Sequence, residues 1–282
     1  MYSNRYEEKI YSVFNYIESK LEDEIDLSSI AFHSNFSVFH FNRVFANLTG
    51  EAPVNYLRRL KLEKAAFDLK VSTKQIIQIA LDSGYESHES FTRAFKKRFL
   101  MSPKQFRDKY NIYKLKSEKA AEFIFVDEIK IVQLDSFKIL YQRYTGAYSD
   151  CPGPYNDSII WKEFVNKNQS ILPENAKLIL AGVCHDDPEI TDESKIRFDL
   201  AILSNNDTIE AYNYKIIEGG KFAVATHHGE YKNLLSTYEY MLTSYPILFN
   251  KVIRNSPTFE IYLNPFPDEV QFARTEVFIP IV

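Results

Sequence analysis

The stretches LSSIAFHSNFSVFHFNRVFANLTGEAPVNY (residues 27–56) and IIQIALDSGYESHESFTRAFKKRFLMSPKQF (residues 76–106) are two copies of one pattern. Each copy predicts a short helix, a tight turn, a second helix and a proline-marked exit, which together make a helix-turn-helix. Two such motifs in tandem predict a protein that reads two successive major-groove segments of DNA. The residues that recur at an offset of 50 are Ser37, Phe41, Arg43, Phe45, Pro53 and Tyr56 in the first copy, and Ser87, Phe91, Arg93, Phe95, Pro103 and Phe106 in the second.

The charge of the chain is divided unevenly along its length. The 282 residues carry a formal net charge of −4, which by itself does not suggest a nucleic-acid partner. Residues 1–116 contain 19 Lys+Arg and 14 Asp+Glu (net +5), so the remainder contains 15 and 24 (net −9). This asymmetry predicts a multidomain protein in which a DNA reader is joined to a separate effector domain. We place the DNA-binding domain at 1–110, a polar linker at 111–121 and the second domain at 122–282.

Composition also indicates the compartment. No apolar run approaches the roughly 20 residues that span a bilayer, and Met1 is followed by polar residues rather than by a secretory signal. The two cysteines, Cys151 and Cys184, are too few for a disulfide framework. We therefore expect a cytoplasmic protein without a membrane partner.

Apolar spacing predicts the helices of the first domain. Asp26 is suited to cap a helix over 27–33, and Ser72 with Gln75 predicts a capping box for the first helix of the second motif. The predicted inward stripes contain Phe41, Val44, Phe45 and Leu48 in the first motif, and Phe91, Ala94, Phe95 and Phe99 in the second. The long helices of this domain are expected over 5–21, 37–48, 53–70 and 87–99.

The remaining face of each second helix carries side chains that can read base edges. One alternative is that the arginines are merely solvated or paired with carboxylates, but recurrence of Arg43 as Arg93 favours DNA reading. Basic residues near the second helix are expected to contact phosphates, which position a protein without specifying sequence; they are Lys96, Lys97, Arg98, Lys104 and Arg107. The predicted reading residues are Phe39, Asn42, Arg43, His88, Glu89, Thr92 and Arg93.

Residues 5–110 resemble the DNA-binding domain of the AraC/XylS family of transcription regulators. The matching pattern is Ala80-x3-Gly84-Tyr85-x-Ser87-x3-Phe91-x-Arg93-x-Phe95-Lys96, closing with Ser102-Pro103 and Phe106-Arg107. The resemblance implies a bacterial regulator with seven helices, both recognition helices in the major groove, and RNA polymerase as a candidate partner. Leu100 departs from the pattern, because the family usually has a glycine there.

Beyond residue 121 the sequence predicts an α+β domain. Helical stretches are expected at about 155–168 and 231–245, and Gly-x-Tyr follows a strand twice, at Gly146 and Gly229. Strands are predicted at 129–134, 137–141, 197–203, 221–226, 259–263 and 275–279.

This region resembles the GyrI-like small-molecule-binding domain. The matching stretches are Tyr144–Tyr148, Asp186–Thr191, Gly219–Val224, His228–Tyr231, Phe259–Asn264 and Phe278–Pro280. The resemblance implies two pseudo-symmetric βαββ halves with a ligand cavity between them, often with a glutamate among aromatic residues. Glu260 is the candidate glutamate, with Tyr262, Tyr148 and Trp161 as its aromatic neighbours.

Three alternatives stand beside a Glu260 ligand site. Strand alternation also allows Glu260 to be a solvated edge residue, and Trp161 can belong to the core. Some GyrI-like proteins are hydrolases that use a glutamate and a tyrosine, so Glu260 and Tyr148 could act on electrophilic compounds. We favour a sensor of a small, cationic or aromatic ligand, without a cofactor or catalytic residues, because a DNA reader is fused to it. Neither 184–187 nor 227–228 has a standard metal-ligand spacing, so no metal site is predicted.

Overall fold

The computed structural model describes residues 2–21, 27–112, 126–151, 153–155, 158–169, 178–203, 213–249 and 252–282. The chain divides into two compact units, Met1–Asn111 and Ile112–Val282. Of the segment predicted to be a linker, residues 113–121 lie outside the described residues, as does the predicted cap Asp26. No helix in the described ranges is long and apolar enough to cross a membrane.

The described part of the first unit contains seven helices, as the resemblance implied. The second helix of each motif buries two phenylalanines completely, Phe41 with Phe45 and Phe91 with Phe95, because residues four apart lie on one helix face. The helices are α1 (Tyr2–Ser19), α2 (Leu27–His33), α3 (Val38–Thr49), α4 (Pro53–Val71), α5 (Ile76–Asp82), α6 (His88–Phe99) and α7 (Pro103–Tyr110).

The two recognition helices, α3 and α6, begin and end alike. The Ser37 and Ser87 hydroxyls accept from the backbone N–H groups of His40 (3.3 Å) and Ser90 (3.2 Å), which satisfies an otherwise unpaired donor at each N-terminus. The caps at the other ends, Gly50 and Leu100, both adopt the left-handed conformation, with φ of 72° and 60°. Leu100 therefore occupies a turn conformation that glycine would adopt at lower cost.

Three details of the helix predictions are wrong. Helix α1 ends at Ser19 rather than at residue 21. Helix α5 begins at Ile76 without a side-chain cap, because the Ser72 hydroxyl instead donates to the Asp68 carbonyl at 2.6 Å. Leu48, assigned to the buried stripe, is 57% exposed. Each error concerns the end of a helix, where local capping and tertiary contacts compete.

The described part of the second unit contains an antiparallel eight-stranded sheet and two α-helices, α8 (Ile159–Asn168) and α9 (Leu234–Phe249). Its order is β1-β6-β8-β7-β3-β4-β2-β5, which confirms the predicted α+β class. The strands are β1 (Lys130–Leu134), β2 (Phe137–Thr145), β3 (Ile179–Cys184), β4 (Arg197–Leu203), β5 (Tyr214–Ile217), β6 (Gly220–His228), β7 (Thr258–Tyr262) and β8 (Arg274–Ile281).

The sheet confirms two related βαββ halves, β2-α8-β3-β4 and β6-α9-β7-β8. In each half, the backbone N–H of a glycine after the first strand donates to the carbonyl of the residue before the last strand. Gly146 donates to Ile196 in the first half, and Gly229 donates to Ala273 in the second. Each half is extended by the strand that precedes the other half in the chain. Strand β1 precedes β2 but pairs with β6, and β5 precedes β6 but pairs with β2. The pair β3–β7 lies at the centre and joins the halves.

The sequence pattern did not predict two of the strands, β3 and β5. Strand β3 (Ile-Leu-Ala-Gly-Val-Cys) is buried along most of its length, so it lacks the alternation of apolar and polar residues that marks a half-buried strand. Strand β5 has only four residues and lies at the edge of the sheet. Short edge strands carry little sequence signal.

Candidate functional sites

The predicted reading face of α3 is exposed. Phe39 is 79% exposed, although it is a large apolar residue, and Arg43 is also exposed. Asn42 is half-buried, and its amide donates to the Val38 carbonyl at 2.9 Å. Arg43 therefore offers the guanidinium of this face to a partner, while Asn42 retains its amide oxygen as an acceptor.

The corresponding face of α6 presents charged side chains. His88, Glu89 and Arg93 are exposed, as are the phosphate-contact candidates Lys96 and Lys97. Thr92 differs from this prediction, because its hydroxyl oxygen is buried and only part of the residue reaches the surface. Among the described residues, neither Arg43 nor Arg93 has a hydrogen-bond or ion-pair partner.

Arg98 does not lie free on the surface for a phosphate. Its guanidinium donates to the Glu63 carboxylate at 2.9 Å, and its side chain is 22% exposed. The Nε and one terminal nitrogen of Arg107 are buried. Lys104 is exposed, as predicted for a phosphate contact. The Glu63 carboxylate neutralises the charge of the Arg98 guanidinium, so Arg98 is less suited to a phosphate contact than an unpaired arginine.

In the second unit, Glu260 lies at the centre of the sheet. It is on β7, between β3 and β8, and only 1% of the residue is exposed. The alternative of a solvated edge-strand glutamate is therefore wrong. A buried carboxylate needs hydrogen-bond donors or a positive charge, because burial without them is costly.

Four donors converge on the Glu260 carboxylate. The hydroxyls of Tyr231 (2.9 Å) and Tyr262 (2.8 Å) donate to Oε2, while Tyr238 (2.8 Å) and the Cys184 thiol (3.4 Å) donate to Oε1. We call these five residues the Glu260 cluster. Burial raises the pKa of the Glu260 carboxyl above its ordinary value, although the hydroxyl and thiol donors oppose that shift.

The other predicted aromatic residues surround this cluster without touching the carboxylate. Trp161 is fully buried and packs edge-on against Tyr262, with ring centroids 5.2 Å apart. Tyr148 donates its hydroxyl to the Asp186 carbonyl at 2.8 Å and packs edge-on against Phe198. Trp161 is thus a core residue that supports Tyr262, and Tyr148 flanks the cluster.

The sequence does not predict three members of the cluster: Tyr231, Tyr238 and Cys184. Tyr231 belongs to the second Gly-x-Tyr turn, and the repeat by itself does not indicate a contact with Glu260. Tyr238 lies on α9, where the sequence predicts only a helix. No sequence signal connects these residues with Glu260, because they are 22 to 76 positions away in the chain.

His185 and Asp186, which belong to the segment 184–187 considered for a metal site, instead form ion pairs and hydrogen bonds. His185 Nε2 lies 2.7 Å from Asp199, and Asp199 also accepts two hydrogen bonds from Arg143. Asp186 pairs with Arg197 at 2.7 Å. Within the described ranges, no group of three or more histidine, cysteine or acidic residues is arranged to hold a metal ion. Lys215 also contacts Asp199.

These features define a helix-turn-helix DNA-binding regulator that is fused to a small-molecule-binding domain. Residues 127–282 match the family model described as the GyrI-like small molecule binding domain, and residues 30–109 match a helix-turn-helix domain. The chain therefore belongs to the GyrI-like family and carries an AraC-type DNA-binding domain.

The relatives of this chain include bacterial transcription regulators. It is 24% identical over 224 residues to the transcriptional regulator Rob of Salmonella typhimurium, covering 76% of both chains. It is 25% identical over 228 residues to the right origin-binding protein of Escherichia coli K12, again covering 76% of both. The HTH-type regulator YbfP of Bacillus subtilis is 37% identical over 115 residues, covering 41% of this chain and 39% of the relative.

Proposed function

We propose that α3 and α6 read base edges in two major-groove segments, with Arg43 and Arg93 as the principal reading residues. The observation that supports this is their equivalent placement: both are exposed, unpaired among the described residues, and six positions after a serine N-cap. An arginine that faces solvent in this way can donate two hydrogen bonds to a guanine. The supporting set is Phe39, Asn42, His88, Glu89 and Thr92, with Lys96 and Lys97 on phosphates.

The test compares arginine and lysine variants on a DNA site selected with the full chain. Arg43→Ala and Arg93→Ala should each cost about 1–3 kcal/mol on that site and relax preference at separate base positions. Lys97→Ala is the control, and should weaken binding to all sequences and flatten the salt dependence. If both arginine variants kept full sequence preference, the assignment of the reading face would be wrong.

We further propose that the Glu260 cluster recognises an organic cation with one positive charge. The four donors that contact Glu260 among the described residues are all uncharged, so a cation would add a charge interaction that none of these residues supplies. Tyrosine faces nearby favour a cation that is also apolar. In the other half of the domain, the residue opposite Glu260 in the strand pair is Gly182, which brings no second carboxylate.

Calorimetric titration with matched cationic and neutral dyes tests this proposal. Glu260→Gln should weaken the cationic dye far more than its neutral isostere, because only the cation uses the carboxylate charge. Glu230→Gln is the control, since the Glu230 side chain is 37% exposed and pairs with Lys232. Equal losses for both dyes, or none for either, would rule out Glu260 as the charge partner.

A hydrolase that uses Glu260 with Tyr148 has less support. The Tyr148 hydroxyl donates to the Asp186 carbonyl, whereas Glu260 is occupied by three other tyrosines and a thiol. The relatives described above are named as transcription regulators or an origin-binding protein. Incubation with electrophilic and cyclopropane-containing compounds separates the two functions: turnover that Glu260→Gln abolishes would favour the enzyme.

We also propose that the protein acts in the bacterial cytoplasm, with RNA polymerase as a partner at its promoters. Its DNA target is cytoplasmic in bacteria, and regulators of this class act on transcription. In vitro transcription from a template that carries the selected site should change when the protein is added. A change in DNA occupancy without any change in transcript would argue against the polymerase as a functional partner.

A further inference from the structure

A chain of buried and partly buried ion pairs connects the two helix-turn-helix motifs. Arg59 donates from Nε (2.9 Å) to Glu51 and from a terminal nitrogen (2.9 Å) to Glu63. The other Glu63 oxygen accepts from Arg98 at 2.9 Å. We call Glu51, Arg59, Glu63 and Arg98 the α4 ion-pair network. The exposures of its side chains range from 5% for Glu63 to 22% for Arg98.

The members of this network lie on three separate elements. Glu51 follows the cap that ends α3, Arg59 and Glu63 are one turn apart on α4, and Arg98 is in the last turn of α6. Glu63 is the branch point, because its two oxygens bind arginines from different elements. The network therefore joins the ends of both recognition helices to the helix between them.

Packing strengthens the connection on the side of the first motif. The Arg59 guanidinium lies 5.0 Å from the centre of the Tyr56 ring, and that ring packs edge-on against Phe45 of α3. Phe45 is fully buried. Movement of α3 relative to α4 would thus disturb both an aromatic contact and the largely buried ion pair of Arg59 with Glu51, and such a pair costs more to break than an exposed one.

We propose that Glu63 is a positioning residue that sets the separation and relative rotation of α3 and α6, and so determines which spacing of the two base segments the protein accepts. The proposal rests on α3 and α6 being the reading helices. Adding one base pair between the segments rotates one of them by about 34–36° and moves it by about 3.4 Å, given about 10–10.5 base pairs per turn. Because the network holds α3 and α6 in place, the protein cannot adjust to that change in the position of one DNA segment.

The experiment measures affinity of the full chain for a DNA site selected in vitro, and for versions with one or two base pairs inserted or deleted between the segments. Each spacing change should cost the unaltered protein about tenfold or more, as a mismatched contact does. Glu63→Gln and Arg98→Met should reduce affinity for the best site, but each spacing change should then cost less than about threefold. Arg98→Met leaves the pair of Arg59 with Glu63 in place, which protects the test if Glu63→Gln fails to fold.

Salt dependence distinguishes positioning from a direct phosphate contact. Lys97→Ala, at the exposed neighbour of Arg98, is the control and should flatten the slope of log affinity against log salt by about 0.9, with the spacing profile unchanged. Arg98→Met should leave that slope unchanged. A slope that falls with Arg98→Met, or a spacing profile parallel to that of the unaltered protein, would overturn the proposal.

The same experiment separates this proposal from the assignment of the reading face. If Arg43→Ala and Arg93→Ala lose sequence preference while both network variants keep the steep spacing profile, only the positioning role of Glu63 is wrong. If the arginine variants keep their preference, the reading helices themselves have been misassigned.

Discussion

Gly182 and Glu260 lie directly opposite each other in the central strand pair β3–β7, and they occupy equivalent positions in the two halves of the domain. Their partners in the neighbouring strands correspond as well, Leu200 for Gly182 and Val277 for Glu260. A Cβ at Gly182 would lie 2.6 Å from the Tyr262 hydroxyl that donates to Glu260. The glutamate of one half therefore has a glycine as its counterpart in the other half. Because Gly182 has no side chain, the Tyr262 hydroxyl fits beside it and donates to Glu260.

The first prediction follows from that contact. Gly182→Ala should destabilise the protein by about 1–3 kcal/mol, because the added methyl group overpacks a filled core. The new Cβ would also meet Phe198 at 2.5 Å. Denaturant unfolding measures the loss, and the affinity for a cationic dye should fall with it as Tyr262 is displaced. An unchanged unfolding midpoint would show that the space beside Gly182 is not filled as described.

The second prediction concerns pH. Because the pKa of Glu260 is raised in the folded protein, the carboxyl becomes protonated at a higher pH than the ordinary glutamate value of about 4.3. Affinity for a cationic ligand should therefore decline as pH falls through that raised pKa, while affinity for a neutral isostere stays level. The same raised pKa makes the stability contribution of this group largest below the ordinary value, and lost as pH rises through the folded pKa.

Titration calorimetry of the cationic dye at several pH values tests the pH prediction. Glu260→Gln is the control and should remove this pH dependence. A decline that begins only in the ordinary glutamate range, or one that persists in the variant, would contradict the assignment.

The third prediction concerns the ion-pair cluster around Asp199, which is fully buried. Burial alone would raise the pKa of Asp199, but Arg143 and Lys215 beside it hold that pKa well below its ordinary range. Asp199→Asn should destabilise the protein by about 3–5 kcal/mol, because it leaves buried cations without their carboxylate. Thermal unfolding measures the change.

Asp127→Asn is the matched control for Asp199. Asp127 is 55% exposed and pairs with His228 at 3.1 Å, so its removal should alter stability by no more than about 0.5 kcal/mol. Since the pKa of Asp199 is depressed, its contribution should be complete above the ordinary aspartate range and lost as pH falls through the folded pKa. Similar effects of the two variants would refute the buried-cluster assignment.

The fourth prediction concerns the ends of the recognition helices. Leu100 has a φ of 60° and is 91% exposed, so its side chain contributes little packing to offset the left-handed conformation. Leu100→Gly should stabilise the protein by about 1 kcal/mol, whereas Gly50→Leu, at the equivalent cap of α3, should destabilise it by a similar amount. Opposite signs in denaturant unfolding are expected, and a destabilising Leu100→Gly would contradict the account.

The sequence by itself determined the helix-turn-helix pair, because the information is local and repeated. Serine caps, aromatic residues four apart and a proline exit are each read within about one or two helical turns, and the 50-residue offset supplies a second copy as a check. The exposed placement of Arg43 and Arg93 follows from the same helical period. Errors remained at Ser72 and Leu48, where helix ends depend on neighbours.

Only the tertiary structure decided what surrounds Glu260 and how the motifs are joined. Strand alternation left Glu260 free to face solvent or core, since a strand pattern does not reveal which strands flank it. The central place of β7, and hydroxyls from a turn, a helix and a strand, enclose the carboxylate. The sequence likewise predicts a phosphate contact for Arg98, but in the structure its guanidinium pairs with the Glu63 carboxylate, 35 residues away in the chain. Such partners are selected by burial, because a buried charge must find a counter-group wherever the chain brings one near.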